Sequence, residues 1–347
     1  MIDFEKAFSL LERIDPKYKQ YIHTLDEAHE IKNYYLERNF IEKGQDYPTS
    51  PHFAGDVVIP NGVTVIGENV FSLCENLTSV VIPNSVKIIK DRAFYKCTNL
   101  KSINIPSSVI SIGRSAFEDC RNLRSINIPD SVTTIGGAAF EGCHSLTSII
   151  IPNSVTKIDY NTFMYCENLT SVVIPNSVKT IGAKAFCCCT SLTSVTIPDS
   201  VTTIDEGAFD NCSNLRSINI PDSVTTIGGC AFKYCTALTG ITIPNSVRKI
   251  CYSAFEECHS ITSIIIPNSV TTIGEDAFYN CSRLTSVIIN AVTPPEIYPG
   301  AFGKTNNCPI YVPAESVSAY KRDNQGSSFN CYGWQVYKSQ IQPIPTK

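Results

Sequence analysis

A proline recurs every 23 residues, ten times without a slip, at Pro60, Pro83, Pro106, Pro129, Pro152, Pro175, Pro198, Pro221, Pro244 and Pro267. A phenylalanine keeps the same step from Phe71 to Phe278, and a cysteine keeps it from Cys74 to Cys281. A fixed period of this length is the signature of stacked coils that share one continuous core, so chain length is no guide to domain count. Stacked coils present long surfaces, and a surface is where their function is to be sought.

One unit, starting at Leu77, reads LTSVVIPNSVKIIKDRAFYKCTN. Leu77, Val80 and Ile82 supply the inner side of a short strand. Pro83 follows its last residue, where a missing amide is tolerated. Val86 and Ile89 point inward from a second extended stretch. Ala93, Phe94 and Cys97 are expected to share one face of a single helical turn. Each coil then gives about eight apolar side chains to the common core. A glycine follows the second-stretch isoleucine in six coils (Gly67, Gly113, Gly136, Gly182, Gly228 and Gly274), as a turn needing positive φ would ask. Lys90, Asp159, Asp205 and Cys251 stand there in other coils.

There are 16 cysteines. In a short secreted chain that number reads as a disulfide framework. Here ten occupy one repeat position, namely Cys74, Cys97, Cys120, Cys143, Cys166, Cys189, Cys212, Cys235, Cys258 and Cys281. A buried thiol behaves as a small hydrophobe, so this ladder reads as reduced core filling. Cys187, Cys188, Cys230 and Cys251 stand off the ladder and are expected to be exposed.

Metal and catalytic constellations are not apparent. Cys187-Cys188-Cys189 lacks the paired spacing and nearby His of a zinc site. The Asp/Asn row after the proline offers one side chain per coil, against the six to eight converging oxygens that calcium takes, and reads as turn chemistry. His23, His29, His52, His144 and His259 are scattered. No Ser/His/Asp, paired-carboxylate or phosphate-loop constellation occurs, so the chain reads as non-enzymatic, with no cofactor. A net charge of -4 and a pI near 5.8 lack the basic footprint of a nucleic-acid binder.

Residues 1–55 differ in composition. Leu25, Ala28, Ile31, Tyr35 and Leu36 trace a helical stripe, and Thr24 with Glu27 matches a capping box. Phe4, Phe8 and Leu11 mark a shorter helix before Pro16. This segment reads as a helical cap over the first coil or as a small docking module. The array fills 56–289. After Ile289, Asn290 stands where proline belongs, and 290–347 reads as a degenerate coil and a C-terminal cap. That cap is expected to hold a strand from Pro309 to Pro313, a short helix around Ala314 to Lys321, and Trp334 ahead of a last apolar run. Asp3 and Glu5, with no apolar run behind them, do not read as a secretory signal, which gives a cytoplasmic reading. No stretch approaches the roughly 20 apolar residues of a membrane span.

The unit L-x-x-V-x-I-P-x-S-V-x-x-I-G-x-x-A-F-x-x-C resembles the BspA-type leucine-rich repeat, with Val70-Phe71 in place of Ala-Phe in the first coil. The resemblance implies an α/β fold: a right-handed solenoid of parallel strands and short helical turns, capped at both ends, with a concave strand face. It implies a protein-binding scaffold without catalytic residues. The best-known members are cell-surface proteins of oral and gut bacteria and of mucosal protozoa that adhere to host matrix proteins, so the family implies a surface location and a host matrix or cell-surface protein as partner. A glycan ligand and an intracellular assembly scaffold are the alternatives.

On that implied concave face the non-core strand positions make three rows. The first carries Lys101, Arg124, Thr147, Thr170, Thr193 and Arg216; the second is nearly all serine; the third carries Asn104, Asn127 and Asn219 among valines, isoleucines and threonines. These nine named residues are the candidate binding positions, in a groove read as rich in hydroxyls and amides. Arg216-Asn219 repeats the pair Arg124-Asn127, and the whole segment Asn122 to Cys143 nearly recurs from Asn214 to Cys235, which reads as duplication. The rows hold no aromatic ring on which a sugar would stack. Tyr95, Tyr165, Tyr234 and Tyr279 fall on the turn side instead.

Overall fold

The computed structural model describes residues 54–59, 61–322 and 333–345. The helical reading of the N-terminal segment therefore lies outside the described residues. The chain divides between Ser177 and Val178 into two compact units. Each is a parallel-strand β-solenoid.

In the first unit, Gly55–Val58, Leu77–Val81, Ser102–Asn104 and Ser125–Asn127 form one parallel sheet, and Ser148–Ile150 pairs with Ser171–Val173. Val65–Ile66, Ile88–Ile89, Ser111–Ile112 and Thr134–Ile135 form a second sheet from the stretch after the proline. The register matches like with like: Ser102 lies beside Ser125, Ile103 beside Ile126 and Asn104 beside Asn127. Equivalent side chains therefore stack at the strand spacing of about 4.8 Å.

In the second unit the short strands Thr180–Ile181, Thr203–Ile204, Thr226–Ile227, Lys249–Ile250, Thr272–Ile273 and Glu296–Ile297 follow one another in a single parallel sheet. The longer strands are interrupted. Ser194–Thr196 pairs with Ser217–Asn219, and Ser263–Ile266, Ser286–Ile289, Ile310–Val312 and Ile341–Pro343 make a separate sheet. Between them only an isolated bridge joins Asn219 to Thr242. Gly240 stands in that coil where the others carry serine, and glycine weakens a strand interior.

The expected helical turn around Ala93, Phe94 and Cys97 is not a helix. Among the described residues, helix is confined to one α turn, Val317–Tyr320, and the 3-10 turns Ala314–Ser316 and Trp334–Tyr337. The reason is where the amides go. Arg92, Phe94 and Lys96 donate to carbonyls of the following coil, Arg114, Ala116 and Glu118, at 2.9, 2.8 and 2.8 Å. The amides between them, Ala93, Tyr95 and Cys97, close tight turns onto Lys90, Arg92 and Phe94. A helix would spend all of them within one coil. Alternation requires left-handed backbone at two positions per coil, φ 54° at Arg92 and 57° at Lys96. The same two positions are positive at Asn69 and Leu73, Ser115 and Asp119, and Asn161 and Tyr165.

The core rows are buried as the period demands. Phe71, Phe94, Phe117, Phe140 and Phe163 stack ring on ring in the first unit, with centroids 5.1, 5.1, 5.5 and 5.6 Å apart. In the second unit a like stack runs from Phe186 to Phe302 and ends edge-on against Tyr337. Thr162 replaces alanine beside Phe163, and its hydroxyl donates to the Asp159 carbonyl at 2.8 Å.

The cysteine ladder is fully buried and does more than fill space. Within each unit the thiols donate to the carbonyl of the preceding coil's phenylalanine: Cys97 to Phe71 at 3.0 Å and Cys120 to Phe94 at 3.1 Å in the first, Cys212 to Phe186 at 3.2 Å and Cys258 to Phe232 at 3.1 Å in the second; Cys74, in the first of these coils, turns instead to the Ser72 carbonyl. A second set of side chains does the same work elsewhere in the coil. The Ser108 and Ser131 hydroxyls donate to the Val86 and Val109 carbonyls at 2.6 and 2.7 Å, and Ser246 donates to Val224 at 2.6 Å.

The glycine row also has a different cause from the one expected. Gly113, Gly136, Gly228 and Gly274 do not adopt positive φ. A Cβ at Gly113 would lie 2.5 Å from the backbone of Lys90 and Asp91 on the preceding coil. Close approach of neighbouring coils is what glycine relieves.

Two substitutions test this packing. Phe186→Ala removes one ring from the stack and should cost about 3–5 kcal/mol, read as a lower thermal midpoint; an unchanged midpoint would show that the ring row does not carry the core. At Gly240 an added Cβ meets nothing within 4 Å. Gly240→Ser should therefore stabilise by about 0.4–1 kcal/mol through the unfolded chain, and a fall in midpoint would contradict the open space described.

Candidate binding face

The longer strands alternate core and surface side chains. Ser102 and Asn104 are exposed on either side of buried Ile103, and the pattern repeats at Ser125, Ile126 and Asn127. The residue ahead of each strand is exposed as well, placing Lys101 and Arg124 on the same outer side.

In the first unit this outer side brings six of the predicted positions together. Asn104 and Asn127 are paired in register. The Arg124 amide donates to the Lys101 carbonyl at 3.0 Å, so their side chains leave from successive coils. The Thr170 amide and hydroxyl both donate to the Thr147 carbonyl, at 2.9 and 3.0 Å. That hydroxyl is thus partly spent inside the fold. Among the described residues no acidic side chain pairs with Lys101 or Arg124. The face changes character toward its first strand, where the Asp56 carboxylate accepts from the Thr78 and Ser79 hydroxyls at 2.9 and 2.6 Å.

The groove is less polar than its serines and threonines suggested. Ile150 is 68% exposed and Val173 is 52% exposed, and they lie side by side in register. Both stand in the third row, whose apolar members are visible in the sequence. Their significance comes from burial: the neighbouring Ile149 and Val172 face the core, so Ile150 and Val173 turn to the exposed side of the strands. The basic pair and the apolar pair occupy consecutive coils.

In the second unit the Arg216 amide donates to the Thr193 carbonyl at 3.0 Å, and Asn219 pairs with Thr196. Ile265 is the exposed apolar member of the third row there. The C-terminal strand adds Tyr311 beside Ile288, an aromatic ring at the end of this row that the coil-by-coil reading did not include.

The off-ladder cysteines divide. Cys187 is buried, contrary to expectation, because it follows Phe186 directly into the layer under the turn. Cys188, Cys230 and Cys251 are half-buried. The tyrosines do lie on the turn side, where cations cover several of them: Lys96 lies 5.0 Å from the Tyr95 ring centroid and Lys233 lies 5.1 Å from that of Tyr234. His259 contacts Glu257 at 3.1 Å and the Asn280 carbonyl at 3.0 Å, a local surface network. Among the described residues no group of three or more His, Cys, Asp or Glu is arranged to hold a metal ion, and no helix is long and apolar enough to cross a membrane.

Comparison with known proteins places this geometry. A leucine-rich repeat protein from Bacteroides ovatus is similar to this chain with a TM-score of 0.51 and 24% identity, over 88% of this chain and 98% of that one. The pneumococcal vaccine antigen PcpA is similar with a TM-score of 0.50 and 18% identity, over 87% and 89% of the two chains. A leucine rich cell surface protein from Faecalibacterium prausnitzii shares 30% identity over 82% of this chain and 93% of that one, with a TM-score of 0.46. No curated protein matches the chain. The family model for the BspA type Leucine rich repeat region (6 copies) matches the overlapping stretches 54–170, 87–216, 156–285 and 202–322, and the chain belongs to the BspA-type leucine-rich repeat family.

Proposed function

We propose that this protein is a non-catalytic scaffold that binds an extended protein segment along its strand face, for adhesion or partner recognition. Repeat proteins of this family serve in general as interaction or surface scaffolds. The observation that carries the reading is the juxtaposition, in the first unit, of the cations Lys101 and Arg124, which pair with no acidic side chain among the described residues, with the exposed apolar pair Ile150 and Val173. Adjacent exposed apolar side chains are a surface that a partner can cover, and the neighbouring cations offer charge that a partner can complement. They fit a partner that offers carboxylates and apolar side chains a few residues apart.

The mechanism is preorganisation. Side chains fixed by a parallel ladder lose little freedom when a partner arrives, so more of the contact energy appears as affinity. The cations would steer approach and set the salt dependence, while the apolar pair would hold the complex. A host matrix or cell-surface protein is the partner class we propose. In the first unit the rows offer no aromatic ring among their described residues, and this supports a protein over a glycan there.

The test is capture from surface-matrix extract and, in parallel, from cytosolic extract. Arg124→Glu combined with Arg216→Glu should lower the association rate about tenfold or more at low salt, with less effect at high salt. Stability should stay within about 0.5 kcal/mol, since both sites are on the surface. Ile150→Ser with Val173→Ser should instead raise the dissociation rate at any salt. A matrix protein captured by the intact chain and lost in both variants supports the reading; capture that neither variant alters removes the site from this face.

A further inference from the structure

Two thiols on the turn side of the second unit stand where the other coils carry no thiol. Cys187 and Cys188 occupy the positions held by Asp210 and Asn211 one coil later and by Lys233 and Tyr234 after that. Their Sγ atoms lie 3.6 Å apart. Cys188 has left-handed backbone, φ 61°, and is half-buried; Cys187 is only 5% exposed. The ladder thiol that follows, Cys189, is fully buried. Asn211 Nδ2 donates to Cys188 Sγ at 3.6 Å, and one Asp210 carboxylate oxygen is buried beneath the same turn with no hydrogen-bond partner.

We propose that Cys187 and Cys188 form a reversible dithiol–disulfide site that reacts with low-molecular-weight disulfides of the glutathione class. The thiolate is the attacking form, and access decides which sulfur reacts. Cys188 is the accessible one. Cys187 is held well above the ordinary thiol value by its hydrogen bond with Cys188 and by burial, so it waits as the resolving thiol. In the first step Cys188 loses its proton and attacks one sulfur of the reagent; a new S–S bond forms and one reagent thiolate leaves, taking a proton. In the second step Cys187 loses its proton and attacks Cys188 Sγ; the second reagent thiolate leaves and is protonated. The two cysteines are oxidised to one disulfide, and the reagent disulfide is reduced to two thiols.

The product is easily reversed. Adjacent Cα atoms are about 3.8 Å apart, closer than the roughly 4.4–6.8 Å of relaxed disulfides, and a strained bond is the more readily reduced. The site is thus fitted to report the thiol poise around the protein, on the side away from the proposed binding rows.

The experiment uses the full chain. It is incubated with oxidised glutathione, unfolded, alkylated and cleaved with trypsin, and the peptide that follows Lys184 and ends at Arg216 is sequenced by mass spectrometry. The expected peptide has lost two hydrogens, carries no glutathione, is protected from alkylation at Cys187 and Cys188, and is alkylated at Cys189 and Cys212. Dithiothreitol should restore alkylation at both protected positions. Cys187→Ser should retain glutathione on Cys188, and Cys188→Ser should leave Cys187 fully alkylated. Wild-type protein in which Cys187 and Cys188 are alkylated as completely as Cys189, or in which glutathione stays on Cys188, would overturn the proposal whatever the folding of the variants.

Discussion

Backbone amides that bond to the next coil, and not to their own, set the terms for the rest of this structure. The strands obey this by nature. On the turn side it is achieved against preference, by forcing two residues per coil into left-handed backbone, at about 1–2 kcal/mol each for ordinary residues. Such strain persists only where surrounding contacts over-determine it. Here the ring stack of Phe71 to Phe163, the thiol donors at Cys97 and Cys120, and the hydroxyl donors at Ser108 and Ser131 all tie one coil to the preceding one. With every such bond directed between coils, a coil that dropped a residue would lose its partners on both sides.

That dependence explains what was legible in the residues and what was not. The strand rows and the burial of Phe94 and Cys97 follow from side-chain chemistry repeated at a fixed step. The conformation between them does not. Leu73, Arg92 and Lys96 carry positive φ with none of the small side chains that announce it. The force that puts them there is a hydrogen bond to a residue 22 positions away, beyond any local pattern. The glycines misled in the converse way: Gly113 and Gly274 signalled a turn, yet their role is distance to the coil before. Cysteine read as a small hydrophobe concealed its donor function, because only the fold reveals the Phe71 carbonyl waiting above Cys97.

The candidate face shows the same division. That Lys101, Asn104, Arg124 and Asn127 share one outer side was readable from alternation alone. That the threonines spend hydroxyl bonds on the neighbouring strand, and that Ile150 and Val173 stand uncovered beside the cations, needed the register and the burial. The face is therefore a mosaic of charge and apolar surface rather than a uniform hydroxyl groove, and a partner that reads it would be selected by two different forces.

The side-chain bonds that tie the coils run over a nearly constant interval: 22 residues from Ser108 to Val86, 23 from Thr170 to Thr147, and 26 from Cys97 to Phe71. A copied or deleted 23-residue coil would find every one of its partners already in place. Asn122 to Cys143 and Asn214 to Cys235 are near copies in just this sense. For a gene of this kind, the number of coils is a quantity that unequal recombination can adjust in whole steps, so the reach of the displayed surface can be inherited, lengthened or trimmed independently of the chemistry written on it.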